Sequence, residues 1–412
     1  MRHRKTWIVA ISLLAMFILA GGVVVLARNR LPGSGLPSVP VPAVPISAGN
    51  FHSMAVTEDG RLWAWGSNSH GQLGDGTDTN RLYPVMIMEN VVAVSTNIGQ
   101  ISWSDTSTHN MVLTTDGTLW VWGVDIREAN RQVMSANRIG WGRPSRPYRN
   151  LRIPIRIMEN VVSISASSGH ATAITSDGVL WGWGKYWRGQ LGDSVADRCG
   201  RPVKILYDVA FVSAGASRTT LITSNGTLLT SGNRSVSQAD DNTNEEHRNT
   251  VNRGFMEIME DVIYVSAGMV YTMVITSDNV LWGWGYNRDG QLDDDGATEV
   301  RSNPIPMKIM DDVVAVSTGG EHTMAITSDG ILWGWGSNRF GQLGDGTTSE
   351  SHSPVQIMDD VAFVSTGYRH TIAVTSDGVL WAWGSNWNGE LGDGTTVDRH
   401  SPVRIMEGIL VP

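Results

Sequence analysis

The stretch LWGWGSNRFGQLGDGT, Leu332–Thr347, carries two tryptophans and five glycines in sixteen residues. Close copies read LWAWGSNSHGQLGDGT at Leu62–Thr77 and LWAWGSNWNGELGDGT at Leu380–Thr395. Aligning the chain on the Trp-x-Trp pair gives seven units spaced by 48 to 61 residues, one of them degenerate, with Leu229 and Ser231 in place of the pair. Self-similarity at such a period is typical of a repeat architecture, and it accounts for most of the 17 tryptophans among 412 residues.

Each unit contains four segments with strand character. In His322–Gly336, the segments TMAIT and ILWGWG are rich in β-branched and aromatic residues, and the Asp-Gly between them favours a tight hairpin turn. Pro354–Met358 predicts a third strand at a sheet edge, because proline has no amide hydrogen to donate. Val361–Gly367 predicts a fourth strand that leads into the next unit. The pattern predicts an all-β fold, a seven-bladed β-propeller of four-stranded blades in which the tryptophan face packs one blade on the next.

The two ends of the repeat region complement each other. The chain ends EGILVP, where the other units continue with a segment like VAFVSTG, and the body begins AVPISAGNFH. We therefore predict that Ala43–Ser47 supplies the strand that completes the last blade. The predicted propeller spans residues 43–412, with repeats starting near residues 47, 95, 165, 213, 266, 317 and 365.

The N-terminal region predicts a membrane anchor. Residues 1–5 form a basic flank, which would stay in the cytoplasm, and residues 6–27 are a run of 22 residues without a charge. At about 1.5 Å per residue, such a helix spans roughly 30 Å, the thickness of the hydrocarbon core of a bilayer. Residues 28–42, rich in proline and glycine, form a linker. We expect a single-pass signal-anchor with the propeller outside the cell membrane, or a secreted protein if the segment is cleaved.

Charge and cysteine content exclude several classes of partner and site. Five of the 31 basic residues precede Leu31, so the remaining 26 stand against 40 acidic residues and give the body a net charge of −14. Such a body repels nucleic acid, and we expect no nucleic-acid partner. The one cysteine, Cys199, excludes an internal disulfide and a multi-cysteine zinc site.

The repeated motif W-G-x-N-x-x-G-Q-L-G-x-G, followed by P-x-x-I and V-x-x-V-S-x-G-x-x-H-T, resembles the regulator of chromosome condensation repeat. The resemblance covers about residue 43 to the end and implies a seven-bladed propeller. The founding member of that family is a nuclear exchange factor for a small GTPase, a partner that we do not expect for an exported, acidic propeller. The plant ultraviolet-B photoreceptor of the family uses G-W-R-H-T loops. The matching places here, such as GNFH, GGEH and GYRH, have no tryptophan, which disfavours that function.

An exported analogue of the same repeat type is the bacterial beta-lactamase inhibitor protein II. It binds a protein partner through loops on one face of its propeller. The resemblance therefore favours exported protein binding, without identifying the target.

Motifs for catalysis and metal binding give little support for an enzyme. There is no G-x-S-x-G, H-E-x-x-H or phosphate loop. The histidines that open one strand in five units would be spread around a ring, which favours one structural hydrogen bond per blade over a metal site; they are His52, His109, His170, His322 and His370. The aspartates of the GDGT turns favour loop structure over calcium binding. We predict no catalytic residue, no cofactor and no metal.

The best candidates for partner binding lie in an insertion in the second unit. Gly123–Pro154 holds seven arginines against Asp125 and Glu128, within an otherwise acidic body. Arginine combined with aromatic residues is typical of binding hot spots and of anion recognition. Three loop tryptophans outside the repeat frame are further candidates, although burial against loops would also explain them. The candidate partner-binding residues are Arg138, Trp141, Arg143, Arg146, Tyr148, Arg149, Trp103, Trp187 and Trp387.

Together these features predict a non-catalytic, membrane-anchored extracytoplasmic module. Its loops would bind an unidentified protein or a cell-wall polymer. Two alternatives remain open: an exported enzyme acting on cell-wall polysaccharide, and a purely structural surface component. Two carboxylates about 5–10 Å apart in a deep funnel would favour the enzyme, and a loop face with exposed aromatic residues would favour the binding module.

Overall fold

The computed structural model describes residues 44–97, 109–124, 150–184, 189–192, 201–233, 251–292 and 302–411. Within these ranges the chain forms strands and turns, and none of it forms a helix long and apolar enough to cross a membrane. The flank, anchor and linker predicted for residues 1–42 lie outside the described residues.

Seven four-stranded antiparallel sheets form the blades of a β-propeller, which confirms the predicted fold class for this part of the chain. In every sheet the strands follow one another in chain order from the centre to the rim. The seven innermost strands contact each other around a closed circle. They are β1 (Ile46–Ala48), β5 (Val91–Thr96), β9 (Val161–Ala166), β13 (Val209–Ala214), β17 (Val262–Ala267), β21 (Val313–Thr318) and β25 (Val361–Thr366).

The second and third strands of each blade form its buried middle. The second strands are β2 (His52–Val56), β6 (His109–Thr114), β10 (His170–Thr175), β14 (Arg218–Thr223), β18 (Tyr271–Thr276), β22 (His322–Thr327) and β26 (His370–Thr375). The third strands are β3 (Leu62–Gly66), β7 (Leu119–Val124), β11 (Leu180–Gly184), β15 (Leu228–Asn233), β19 (Leu281–Tyr286), β23 (Leu332–Gly336) and β27 (Leu380–Gly384).

The outer strands lie at the rim, where the proline rule predicts them. They are β4 (Arg81–Met88), β8 (Asn150–Met158), β12 (Val203–Leu206), β16 (Val251–Met259), β20 (Ser302–Met310), β24 (Ser351–Met358) and β28 (Arg399–Met406). Because each is paired on one side only within its sheet, a proline such as Pro354 removes no hydrogen bond from the ladder.

The tryptophan pairs pack the blades together, as predicted. Trp65 of the first blade is fully buried and packs against Ile372 and Leu380 of the last blade. Its indole N–H donates to the carbonyl of Glu390, at 2.8 Å, in the Gly-Glu-Leu loop of that blade. The same hydrogen bond joins Trp122 to Gln72, Trp335 to Gln291 and Trp383 to Gln342.

The glycine that follows each tryptophan pair is required by the backbone. At Gly336 the φ angle is 101°, and a Cβ atom would lie 2.7 Å from the carbonyl oxygen of Glu321. A residue with a Cβ atom would be strained here, because of both the positive φ and the close approach. The seven equivalent glycines all have φ angles between 97° and 122°; they are Gly66, Gly123, Gly184, Gly232, Gly285, Gly336 and Gly384.

The prediction that Ala43–Ser47 completes the last blade is wrong. Ile46–Ala48 pairs with β2 in the first blade, with Ser47 opposite Met54. The predicted fourth strand of each unit is likewise the first strand of the next blade, because Val361–Thr366 forms a hairpin with β26. Two residues, Asp359 and Asp360, carry the chain from one blade to the next, and Asp360 has a positive φ of 58°.

Ring closure is achieved by contacts between complete blades. Glu58 N–H donates to Gly408 O, at 2.9 Å, and Ile409 N–H donates to Gly378 O, at 3.0 Å. These are the same two bonds that join consecutive blades elsewhere, for example Ser376 N–H to Asp360 O. The junction between the last and first blades therefore repeats the chemistry of the covalently linked junctions.

A ring of seven serine hydroxyls surrounds the centre. The serine near the end of each inner strand accepts a hydrogen bond from the backbone N–H of the last inner-strand residue in the next blade. Ser365 makes the closing contact, accepting from Ala48 N–H at 2.9 Å. The other six pairs span 2.9 to 3.1 Å and are Ser47 with Thr96, Ser95 with Ala166, Ser165 with Ala214, Ser213 with Ala267, Ser266 with Thr318, and Ser317 with Thr366.

We expect Ser365→Ala to weaken ring closure, because it leaves the N–H of the fully buried Ala48 without its acceptor. An unsatisfied buried donor costs about 1–3 kcal/mol in the free energy of unfolding. Urea denaturation followed by tryptophan fluorescence measures this loss. The exposed Ser349→Ala is the matched control and should unfold like the parent. Equal loss of stability in both variants, or in neither, would contradict the role of the ring.

Candidate interaction face

Two kinds of connection meet at one end of the propeller, and we call this end the loop face. They are the loops between first and second strands and the loops between third and fourth strands. Backbone hydrogen bonds tie them together, since Ser385 N–H donates to Arg369 O and Ser337 N–H donates to Glu321 O. The loops between third and fourth strands span residues 67–80, 125–149, 185–202, 234–250, 287–301, 337–350 and 385–398.

The predicted binding residues all belong to segments that start and end at this face. The insertion leaves β7 at Val124 and rejoins β8 at Asn150. Trp387 lies in the loop between β27 and β28 and is 64% exposed, so it is not buried against its loop. The other candidates lie outside the described residues; they are Trp103, Arg138, Trp141, Arg143, Arg146, Tyr148, Arg149 and Trp187.

The GDGT turns are held by hydrogen bonds within their own loop. Asp75 accepts from Asn68 Nδ2 at 3.0 Å, from Thr77 Oγ1 at 2.7 Å and from Arg81 Nε at 2.8 Å. Burial acts to raise the pKa of Asp75, but the hydrogen bonds from Thr77, Arg81 and Asn68 outweigh it and lower the pKa. Asp393 is held in the same way by Asn386, Thr395 and Arg399. Protein donors thus engage both oxygens of each carboxylate, which favours a structural role.

Trp387 belongs to a cluster that the sequence did not predict. Its ring meets Phe340 edge-on, with centroids 5.7 Å apart. The guanidinium carbon of Arg369 lies over the ring of Phe340, 4.5 Å from its centroid, and over the ring of Tyr368, 4.9 Å from its centroid. Phe51 contacts Tyr368 at 6.1 Å. We call these five side chains the aromatic row. One signal could have found them: each occupies a place where the repeats differ from unit to unit.

Two carboxylates lie beside this row. Burial raises the pKa of Glu321, and the neighbouring Asp289 raises it further, while Arg369 and Arg339 oppose the shift. Burial also raises the pKa of Asp289, which is 8% exposed. A carboxylate also raises the pKa of Asp289, but it is Glu350 rather than Glu321. Carboxylates with raised pKa values are a feature of many active sites. Here three arginines act on the pair in the opposite direction, including Arg288.

Beneath the loop face, the strand-opening histidines link blade to blade. His370 Nε2 lies 2.9 Å from Ser53 Oγ, His170 Nε2 2.9 Å from Thr219 Oγ1, and His322 Nε2 3.0 Å from Thr371 Oγ1. Each hydroxyl in turn donates to the carbonyl of the Gly-Gln-Leu or Gly-Glu-Leu loop, as Thr371 does to Gln342. The hydroxyl must therefore accept from the imidazole, which assigns the neutral Nε2–H form.

Burial keeps these histidines neutral. It lowers the pKa of His52 to about 4, and the pKa values of His170, His322 and His370 to about 3. The Nδ1 atoms of His52 and His322 are buried without a hydrogen-bond partner among the described residues. A second proton would therefore create a buried donor with no acceptor there.

The fold and these contacts define a seven-bladed propeller of a recognised repeat class. A family model described as the RCC1-like domain matches residues 100–411, and the regulator of chromosome condensation (RCC1) repeat matches residues 46–72. The chain belongs to the RCC1-like repeat family. Members of this family are protein-interaction modules and mostly non-catalytic regulators.

Several relatives and solved structures are similar to the chain. The ultraviolet-B receptor UVR8 of Arabidopsis thaliana is 32% identical over 319 residues, covering 74% of this chain and 67% of the receptor. The human E3 ubiquitin-protein ligase HERC2 is 26% identical over 320 residues, covering 77% of this chain but only 5% of the ligase. The crystal structure of Prp20p from Saccharomyces cerevisiae has a TM-score of 0.68 at 18% identity, covering 86% of this chain and 88% of Prp20p.

The exclusion of a small GTPase as partner needs correction. Prp20p binds Gsp1p, a small GTPase, and histones. The regulator of chromosome condensation of Drosophila melanogaster is also similar, at 26% identity over 342 residues. The exclusion relied on a location inferred from residues 6–27 and on the acidic charge of the propeller.

We expect the buried histidines to make the protein acid-sensitive. Their pKa values are lower in the folded than in the unfolded chain, so the stability they contribute is present above about pH 6.5 and is lost as the pH falls toward 3. His322→Tyr places in blade six the residue that Tyr271 provides in blade five. Between pH 6.5 and 5, the free energy of unfolding of the variant should fall less steeply with decreasing pH than that of the parent. The two slopes should differ by about 1 kcal/mol per pH unit.

Urea denaturation at a series of pH values measures the two slopes. Above pH 7, where the histidine is neutral in both states, the curves of parent and variant should run parallel. An unchanged slope below pH 6.5 in the variant would show that His322 is not the buried, neutral group described here.

Proposed function

We propose that the chain is a non-catalytic interaction module that binds a protein partner through its loop face. The observation that carries this proposal is the difference between the two ends of the propeller. The opposite end is built from near-identical turns, in which a threonine hydroxyl donates to an aspartate two residues later. The pairs are Thr57–Asp59, Thr114–Asp116, Thr175–Asp177, Thr276–Asp278, Thr327–Asp329 and Thr375–Asp377.

At the loop face, by contrast, sequence and length vary. The residue before the Gly-Gln-Leu or Gly-Glu-Leu segment is His70, Arg188, Asp289, Phe340 or Asn388, depending on the unit. The loops between third and fourth strands run from residues 67–80 in the first blade to 125–149 in the second. Variation confined to one end, on a uniform scaffold, is typical of a surface that recognises a specific partner.

The composition of the variable positions supports protein binding. The inserted residues 125–149 bring six arginines to an acidic body. Trp387 stays 64% exposed, although a tryptophan of the repeat such as Trp383 is fully buried. Exposed aromatic residues and arginines are the residue types that dominate the energy of protein interfaces.

The proposal includes a location. The uncharged run at residues 6–27 would span the membrane, and residues 28–42 would hold the propeller away from its outer surface. This part of the proposal rests on the sequence alone.

The binding role can be tested by affinity capture. The full chain in mild detergent is presented to a surface extract of its own organism, beside a variant with Trp141, Arg143, Arg146 and Arg149 changed to alanine. We expect a partner that the parent retains and the variant loses.

The matched control carries four alanines away from the loop face, in place of Arg61, Arg156, Tyr207 and Arg404, all exposed. It should capture the partner as the parent does. Loss of capture in the control but not in the insertion variant would move binding to the opposite end or the rim. Turnover of a wall polymer without capture would favour the enzyme alternative.

The location can be tested by deleting residues 6–27. We expect the parent in the membrane pellet after carbonate washing and the deletion variant in the supernatant, because the variant loses the apolar run that would span the bilayer. Protease added to intact cells should digest the propeller of the parent. A parent protein that is soluble, or protected from the protease, would contradict the proposed location.

A further inference from the structure

The aromatic row brings together side chains from three blades. Phe51 comes from the first blade, Phe340 from the sixth, and Tyr368, Arg369 and Trp387 from the seventh. Successive ring and guanidinium contacts of 4.5 to 6.1 Å connect all five side chains at the loop face. The row thus offers one continuous surface, with Trp387 exposed at one end.

Arg369 is the unusual member of this row. Its guanidinium carbon lies over two aromatic rings, 4.5 Å from the centroid of Phe340 and 4.9 Å from that of Tyr368. The side chain is partly buried, yet its N–H groups form no hydrogen bond or ion pair with any residue that the structure describes. A guanidinium carries its five donors along its edges, in a fork that matches a carboxylate. The two ring contacts therefore hold the group in place without using its N–H donors.

The surrounding charges favour binding of an anionic group at Arg369. Arg339 is exposed beside Phe340, and it acts with Arg369 on the pKa of Glu321. The acidic neighbours are recessed: Asp289 is 8% exposed, and Glu321 is held partly buried. An approaching partner would therefore meet the arginines before the carboxylates.

We propose that the aromatic row binds a short acidic segment of a partner protein. One aspartate or glutamate carboxylate accepts two hydrogen bonds from the edge of Arg369, and an adjacent apolar side chain packs on Trp387 and Phe340. This site deepens the proposed function of the loop face and rests on it. The net charge of −14 over the body limits the acidic region to a short segment, because a broadly acidic protein or an anionic lipid surface would be repelled.

Selection of random heptapeptides displayed on phage tests the proposal with a defined probe. The full chain in mild detergent is the target, and selected peptides are resynthesised for fluorescence anisotropy. We expect enrichment of aspartate or glutamate next to an apolar residue. Replacing that acid with its amide should weaken binding about tenfold or more, the loss expected for a charge-assisted bidentate pair.

Variants of the protein identify the site. Arg369→Gln and Trp387→Ala should each weaken binding of the selected peptides about tenfold. Arg369→Lys should restore only part of the affinity, because lysine keeps the charge but lacks the planar fork. Arg404→Gln, which removes an exposed arginine of β28, is the matched control and should bind like the parent. Urea denaturation curves that match the parent would show that the variants still fold.

Three results would overturn this site. They are selected peptides without acidic residues, equal affinity for parent and Arg369→Gln, and failure to select any binder. A dimer in sedimentation velocity that Trp387→Ala dissociates would also overturn it, by showing that a second copy covers the row. Capture of a natural partner that survives Arg369→Gln but not the insertion variant would leave the function of the loop face standing while removing this site.

Discussion

The architecture depends on satisfying the backbone where seven inner strands converge. Neighbouring blades do not share a sheet, so the N–H at the end of each inner strand has no ladder partner. A buried N–H without an acceptor is costly, and each blade meets this demand with one serine hydroxyl from the preceding blade. Because Ser365 gives Ala48 the same bond, the first and last blades join as any other pair does. The chain ends therefore do not share a blade, and both terminal blades are complete in themselves.

A second set of hydrogen bonds also joins neighbouring blades. One loop carbonyl receives both an indole N–H and a hydroxyl, as Gln342 O does from Trp383 and Thr371. The degenerate fourth blade keeps this pattern without its tryptophan, because Ser231 and Thr219 both donate to Gln190 O. Loss of the Trp-x-Trp pair therefore removes apolar packing from that junction but leaves its hydrogen bonds in place.

The sequence repeat predicts the strands within each unit. It is less informative about which strands share a blade and which residues of different blades are in contact. Spacing alone predicts seven blades, and proline at Pro354 places the outer strand. The assignment of Val361–Thr366 to a blade failed because the links on its two sides, residues 359–360 and 367–369, both have hairpin length. At the site, Trp387 was predicted from its departure from the repeat. Its neighbours Phe340 and Arg369 also depart from the repeat, but they were not predicted, because the sequence does not show that these residues of different blades are in contact.

Rigidity of the framework bears directly on recognition at the loop face. The repeated polar residues are already engaged: serines close the centre, histidines and threonines link the blades, and Asp75 and Asp393 hold their loops. The non-repeated residues of the loop face are the ones that can contact a partner. Since Phe51, Phe340 and Arg369 are held by three blades of one closed ring, their relative positions are set before a partner arrives. Binding there avoids much of the entropy cost of ordering loops, so a contact as small as one carboxylate bound by Arg369 can add measurable affinity.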